Sequence, residues 1–446
     1  MVAGDPVTAI GTGRRWPRTL LDSPLWRNVD FRRLWAGQAV SQLGTQVTLV
    51  AIPLIAIGTL HANTGQVGVL SALSRLPFLL YLVAGVWVDR TRRRPVLIGT
   101  DLARGVLVLL VPLAAVTGLL SYWLLCAVVV VSTALSVWFD IGYMSYLPSL
   151  VGRDGLLAAN TRLETTRATT QVVGPSVGGV LVQVLTGPVA MIVDGLSYFV
   201  AAVFAVRIRA PEPAPSRRSG GPAGPRGPGT LRAELAEGFG FVFRHPMLAS
   251  LALAIGVSNF AWAAELAQYL IFLVHGVGLP AALVGVTLAG QGPGTLVGSA
   301  LAGRIQKWFG LAGAICGGLL LFAAAALLIP LAPGTPALAV PVLVGSGFLM
   351  ALGGQVCAVN VLTSRQRVTP DRLQGRVNAT FRFLALGVSP VGSLAGGYAG
   401  QALGLRTGLY LAIALMFLAP AIVLLSPVRR IRAVPPDRPD AGQATP

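Results

Sequence analysis

Ser258, Trp262, Glu265 and Tyr269 set a hydroxyl, an indole, a carboxyl and a phenol at steps of four, three and four residues. At helical spacing these four share one face, inside an apolar run with no other charge. Such a stripe is poor surface for lipid and suitable lining for a water-filled cavity. A carboxyl in a partly dry site favours its neutral form, which suits proton uptake and release. Gln38, Ser41, Gln42 and Thr45 make a comparable stripe in an earlier run, while Arg75 shares a face with Gly68 and Ser71. Ser132, Ser136 and Asp140 repeat every four residues in another run. Ionisable groups inside apolar runs are costly unless they face protein or water, so each is a functional candidate. The expected cavity lining is therefore Gln38, Ser41, Gln42, Thr45, Arg75, Ser136, Ser258, Asn259, Trp262 and Tyr269. Glu265 is the expected proton carrier. Asp140 competes with it, but a pairing with Arg75 would keep Asp140 charged, as a permanent pair or a switch. Asp101 with Arg104 and Glu164 with Arg167 are three apart and read as local ion pairs near helix ends. Asp194 is expected to reach water near the end of its run.

The elements that must position these groups are membrane spans. The chain has 446 residues, 54% hydrophobic and only 11% charged, with a mean hydropathy of +0.72. That is too little polar surface to coat a soluble globule of this size. Apolar runs long enough to cross a bilayer fall near 33–60, 66–88, 95–118, 121–143, 161–184 and 188–207, and then near 246–274, 280–304, 311–331, 336–360, 375–400 and 406–427. The spacing predicts an all-α membrane protein of twelve helices. Arginines cluster before the first span and in every second loop, whereas the opposite loops carry none until Arg406. This bias places both termini in the cytoplasm and makes the net charge of +18 membrane anchoring rather than a nucleic-acid footprint.

The segment 208–245 holds a Pro-, Gly- and Arg-rich stretch that cannot bury a core, so it reads as a cytoplasmic linker. It separates two six-helix halves, 33–207 and 246–427, with cytoplasmic tails at 1–32 and 428–446. A constant offset of 218 relates the halves: Asn160 to Asn378, Gly174 to Gly392, Gly178 to Gly396, Gly179 to Gly397 and Gly85 to Gly303. The same offset relates Ser41 to Asn259, so the two polar stripes are expected to face each other across a pseudo-twofold axis.

Between the second and third runs stands Gly85-Val86-Trp87-Val88-Asp89-Arg90-Thr91-Arg92-Arg93-Arg94. Gly85, Asp89, Arg90, Arg93 and Arg94 resemble the loop between helices two and three of the major facilitator superfamily, with Arg92 where the family usually has a second glycine. The resemblance implies two parallel six-helix repeats with substrate between them. It also implies a gate in which Asp89 meets a helix end of the other half and the arginines meet its acids. Gly174-Pro175-Ser176-Val177-Gly178-Gly179 resembles the antiporter motif of proton-driven exporters, with Thr170 in place of an earlier glycine; the same spacing also serves plain helix packing. Tyr146–Val151, Asn160–Gly179 and Asp194-Gly195-Leu196-Ser197-Tyr198 look like the branch that holds enterobactin exporters and macrolide-efflux proteins.

The expected function is secondary active export of a small amphiphilic organic molecule, such as a drug, macrolide-like compound or siderophore, in exchange for protons. The expected setting is the inner membrane, as a monomer. Import of a metabolite by symport or uniport is the alternative within transport; a membrane sensor or scaffold is the alternative outside it. No phosphate-binding Gly-x-x-x-x-Gly-Lys-Ser/Thr loop occurs, so the proton gradient, not a cofactor, is the expected energy source. Cys126, Cys316 and Cys357 are scattered within spans, and His61, His245 and His275 lie near span ends. These placements suggest neither a metal cluster nor a catalytic set, and no enzyme activity is expected.

Overall fold

The computed structural model describes residues 24–80, 92–210 and 228–430. Gly85, Asp89 and Arg90 of the gate motif lie outside the described residues. Nine described stretches are long and apolar enough to cross a membrane. The first half comprises α1 (Val29–Leu54, ending in a wide turn Ile55–Thr59), α2 (Thr64–Arg75, tightening through Leu76–Leu80) and α3 (Arg93–Val116). It continues with α4 (Tyr122–Gly152), α5 (Gly155–Leu185) and α6 (Gly187–Val206). A linker helix, Pro228–Arg244, precedes the second half. That half holds α7 (Pro246–Ile271, extended by Phe272–Gly276), α8 (281–309), α9 (311–326) and α10 (Pro336–Val368). It closes with α11 (Asp371–Gly387 and Ser389–Leu403) and α12 (Leu405–Met416 and Leu418–Leu425). The protein is thus an all-α membrane bundle of twelve helices in two six-helix halves.

Local chemistry sets the breaks. Gly152 and Gly310 take φ of 68° and 72°, a left-handed conformation that glycine adopts without penalty, and there the chain reverses between α4 and α5 and between α8 and α9. Asn63 and Gln66 form a reciprocal cap at the start of α2. Large apolar side chains point outward, among them Leu113 at 59% and Leu425 at 84% exposed, as a bilayer solvent allows.

Because the helices alternate, the bundle has a basic face, where α1 begins, and a far face, where α2 begins. The cores differ between the two. At the far face a cluster of Val47, Ile55, Leu70 and Met191 of the first half takes in Ile271 of the second, beside a second-half cluster of Phe272, Val284 and Leu343. At the basic face each half has its own core: Phe31, Leu97, Tyr146 and Leu163 in one, Leu248, Leu311, Val361 and Phe381 in the other. The halves meet at the far face and part toward the basic face. Arg94 packs on the end of α6. Its guanidinium donates to the carbonyls of Ala205 (3.2 Å) and Val206 (2.6 Å), capping the C-terminus of α6 in its own half.

Candidate functional site

Two glycine seams close the far face. A Cβ on Gly68 of α2 would lie 2.7 Å from Gly397 Cα of α11. One on Gly179 of α5 would lie 3.0 Å from Gly285 Cα of α8 and 2.5 Å from the Ala281 carbonyl oxygen. No side chain fits at either place, so backbone meets backbone. The offset of 218 that relates Gly179 to Gly397 also carries Gly68 to within one residue of Gly285, making the two seams pseudo-symmetric copies. Gly174 and Gly178 serve a different contact inside the first half, where Cβ atoms would lie 2.5 Å from Gln46 Cβ and 3.1 Å from Val47 Cα of α1. Pro175 stands with Gly179 on the seam, its carbonyl oxygen pressed against Gly285.

One face of α5 shows where the halves diverge. Thr161, Thr165, Ala168, Val172, Pro175 and Gly179 share it at steps of four, three, four, three and four. Toward the far face Val172, Pro175 and Gly179 pack on Gly292, Gly285 and Ala281 of α8, while toward the basic face Thr161 and Thr165 are exposed. Beside them Glu164 and Arg167 pair at 3.6 Å with side chains 70% and 58% exposed. They stand about 14 and 18 Å along α5 at 1.5 Å per residue. The α5 face that packs on α8 toward the far face is uncovered here, so a cleft enters the bundle from the basic face. Glu164 and Arg167 stand in the half of α5 nearer the basic face, as their spacing suggests, whereas Thr161 and Thr165 are site residues that sequence reasoning missed.

At the head of this cleft Arg75 meets the α7 stripe. Its guanidinium lies 5.1 Å from the Trp262 ring centroid and is electrostatically coupled to Glu265. Each residue is about 17 Å along its helix from the far face, counting eleven residues at 1.5 Å. Tyr269 is buried beside Glu265 and near Thr287 of α8, whose hydroxyl donates to the Val284 carbonyl. Ser258, Asn259 and Trp262 are half-buried, and Asn259 donates to the Ile255 carbonyl (2.9 Å). The acid whose charge acts on Arg75 is thus Glu265 of the other half, without a direct ion contact, where Asp140 had been expected. Asp140 lies eighteen residues from the start of α4, about 27 Å from the far face, with Tyr143 as an electrostatic neighbour. Ser136, one turn earlier, bonds the Ser132 carbonyl at 2.9 Å.

The α1 stripe also departs from expectation. Thr45 bonds the Tyr198 hydroxyl of α6 at 2.9 Å, and Gln38 lines a narrow crevice with Asp101 and Phe139. Gln38 and Ser41 are buried, at 8% and 5% exposed. Gln38 and Thr45 thus look into their own half rather than across the axis. Asp194 does not reach water; it is fully buried beside Ser197 and Thr48. Asp101 and Arg104 are likewise buried, at 1% and 7% exposed, and Arg104 stands about 17 Å into α3.

Residues 34–385 match the Major Facilitator Superfamily, and the chain belongs to that family: it is a multi-pass membrane transporter. It is 27% identical over 191 residues to macrolide efflux protein A of Streptococcus pyogenes, covering 42% of this chain and 46% of that protein. The chain thus spans about half the length of that relative in the match. It is 23% identical over 425 residues to an uncharacterized MFS-type transporter, YfiS, of Bacillus subtilis (strain 168), covering 91% and 95% of the two chains. The fold is similar to a bacterial homologue of the iron transporter ferroportin in an inward-facing state. The TM-score is 0.69 at 17% identity, with 90% of this chain and 99% of that one covered.

Proposed function

We propose that this transporter is a proton-coupled exporter of a small amphiphilic organic molecule, lying in the inner membrane with its basic face toward the cytoplasm. In that orientation both termini are cytoplasmic, and the cleft opens inward beneath a sealed outer face. A monomer with this cleft is sufficient for the cycle. Its lining favours a largely apolar solute: Trp262 offers a flat ring, Ser258, Thr161 and Thr165 offer hydroxyls, and charges are few. The partial likeness to macrolide efflux protein A supports the same class, including drugs, macrolide-like compounds and siderophores.

The observation that carries the reading is the coupling of Arg75 to Glu265 across the two halves, directly below the α2–α11 seam. An arginine beside a carboxyl favours the ionised form, while a carboxyl left alone in a dry site favours the protonated one. Rocking of the halves separates α2 from α7, so Glu265 takes a proton from outside when the outer seams open. It yields that proton to the cytoplasm when Arg75 returns. Solute held against Trp262 leaves in the outward-open state, and proton entry is tied to solute exit. Coupling of about 1–3 kcal/mol is enough to bias such a cycle.

The test is an accumulation screen of drugs and metabolites in a pump-deficient host, with and without a protonophore. The reading expects lowered accumulation of an amphiphilic compound, restored by the protonophore. Raised, protonophore-sensitive accumulation of a metabolite would instead mean import by symport.

A further inference from the structure

The first half contains a buried polar cluster that this cycle does not use. Asp101 and Arg104 of α3 meet Asp194, Ser197 and Tyr198 of α6 and Thr45 and Thr48 of α1. The Arg104 guanidinium donates to the Tyr198 hydroxyl, covers its ring at 4.0 Å and stands 3.8 Å from Asp101 Oδ1. It is electrostatically coupled to Asp194, whose Oδ1 accepts a hydrogen bond from the Ser197 hydroxyl at 3.3 Å. From α4 only a ring, Phe139 at 5.9 Å, faces the guanidinium among the described contacts. Gly44 of α1 makes the room, since a Cβ there would lie 2.7 Å from Asp194 Oδ1.

Two carboxyls face one guanidinium in a site where Asp101 is 1% and Asp194 0% exposed. The electrostatic partners of both, among the described residues, are Arg104 and Tyr198. A second, unbalanced negative charge in such a place costs several kcal/mol, and interacting acids then titrate as a pair. Hydrogen-bonding capacity agrees, because Asp101 Oδ1, Asp194 Oδ2 and Arg104 Nε have no partner. A crevice bordered by Arg33, Gln38, Asp101, Phe139 and Ala205 leads from the basic face to Asp101. It has room for about one water.

We propose that Asp101 and Asp194 share one exchangeable proton around Arg104, loaded and released through this crevice, as a proton-binding site separate from Glu265. On release the shared carboxylic acid becomes a carboxylate and the proton passes to crevice water; uptake is the reverse. The Asp194-Gly195-Leu196-Ser197-Tyr198 run then has a defined role, in which α6 supplies one acid and the hydroxyl that orients Arg104.

The test uses the full chain in lipid nanodiscs, in a Glu265→Gln background that removes the transport carboxyl, so its failure leaves the role of Glu265 untouched. Infrared difference spectra are recorded as the pH of the medium is varied. A protonated-carboxyl C=O band that titrates as one proton is expected. Either Asp101→Asn or Asp194→Asn should abolish it, because the remaining acid then balances Arg104 as a carboxylate. Tyr198→Phe, which keeps the packed ring, should shift the band. Absence of a titrating band in the Glu265→Gln protein overturns the proposal whether or not the Asn variants fold. A band that survives either Asn substitution overturns the sharing, and a band unmoved by Tyr198→Phe places it outside this cluster.

Discussion

Two adjacent glycines, Gly178 and Gly179, should respond differently to the same added methyl group, because one packs within a half and the other between halves. Alanine at 179 places its Cβ 2.5 Å from the Ala281 carbonyl oxygen and 3.0 Å from Gly285 Cα. Neither backbone can yield without moving α5 from α8. Such overpacking costs about 1–3 kcal/mol, and it applies only while the far face is closed. The ratio of far-open to far-closed molecules should therefore rise by about 5- to 150-fold, since 1.4 kcal/mol is a factor of ten. Alanine at 178 meets Val47 Cα at 3.1 Å in a contact internal to the first half. It should lower the melting temperature and leave the ratio of states alone, and Gly178→Leu should also lower activity. The assay is a spin-label distance between the exposed far-face positions Val184 and Leu403, with Cys126, Cys316 and Cys357 replaced. An unchanged distance distribution in folded Gly179→Ala protein would falsify the assignment of this seam as the outer closure.

Three further outcomes follow from the same geometry. A cysteine at Thr165 should react with a membrane-impermeant thiol reagent from the basic face only, and lose that reactivity in the Gly179→Ala protein; reaction from the far face would contradict the cleft. Arg94→Gln should lower stability by about 1 kcal/mol through loss of the α6 cap, read as a melting shift without a change in solute affinity. From the gate motif, Asp89→Asn should cripple transport while leaving the melting temperature within a degree or two, because the substitution removes a charge and keeps the side-chain volume; normal transport kinetics would sink the gate assignment.

Hydropathy and loop charge made the twelve helices legible, because bilayer thickness and the lack of alternative backbone partners constrain a span strongly. The repeat was legible too: the offset of 218 recurs as atomic contacts at Gly179 and Gly397. Rotation about each helix axis was less readable. Gln38 and Thr45 turn toward α3 and α6 while Gln46 packs on α5, and only the neighbours of α1 decide which polar face looks at the cavity. Asp194 was misread because distance along a span does not report which side faces protein. Arg75 and Glu265 stand 190 positions apart in different halves, so no local spacing reveals their electrostatic coupling; only the matched depth, about 17 Å from the far face, hints at it.

Proton coupling through Glu265 is tested most directly in proteoliposomes carrying a solute gradient of zero and an imposed pH difference. Wild-type protein should concentrate solute on the side that is more acidic, against proton flow. Glu265→Gln should abolish this uphill movement while downhill exchange and solute binding persist, and Asp140→Asn should impair both. Uphill transport by the Glu265→Gln protein at the wild-type rate would contradict the account and reduce Glu265 to a solute contact.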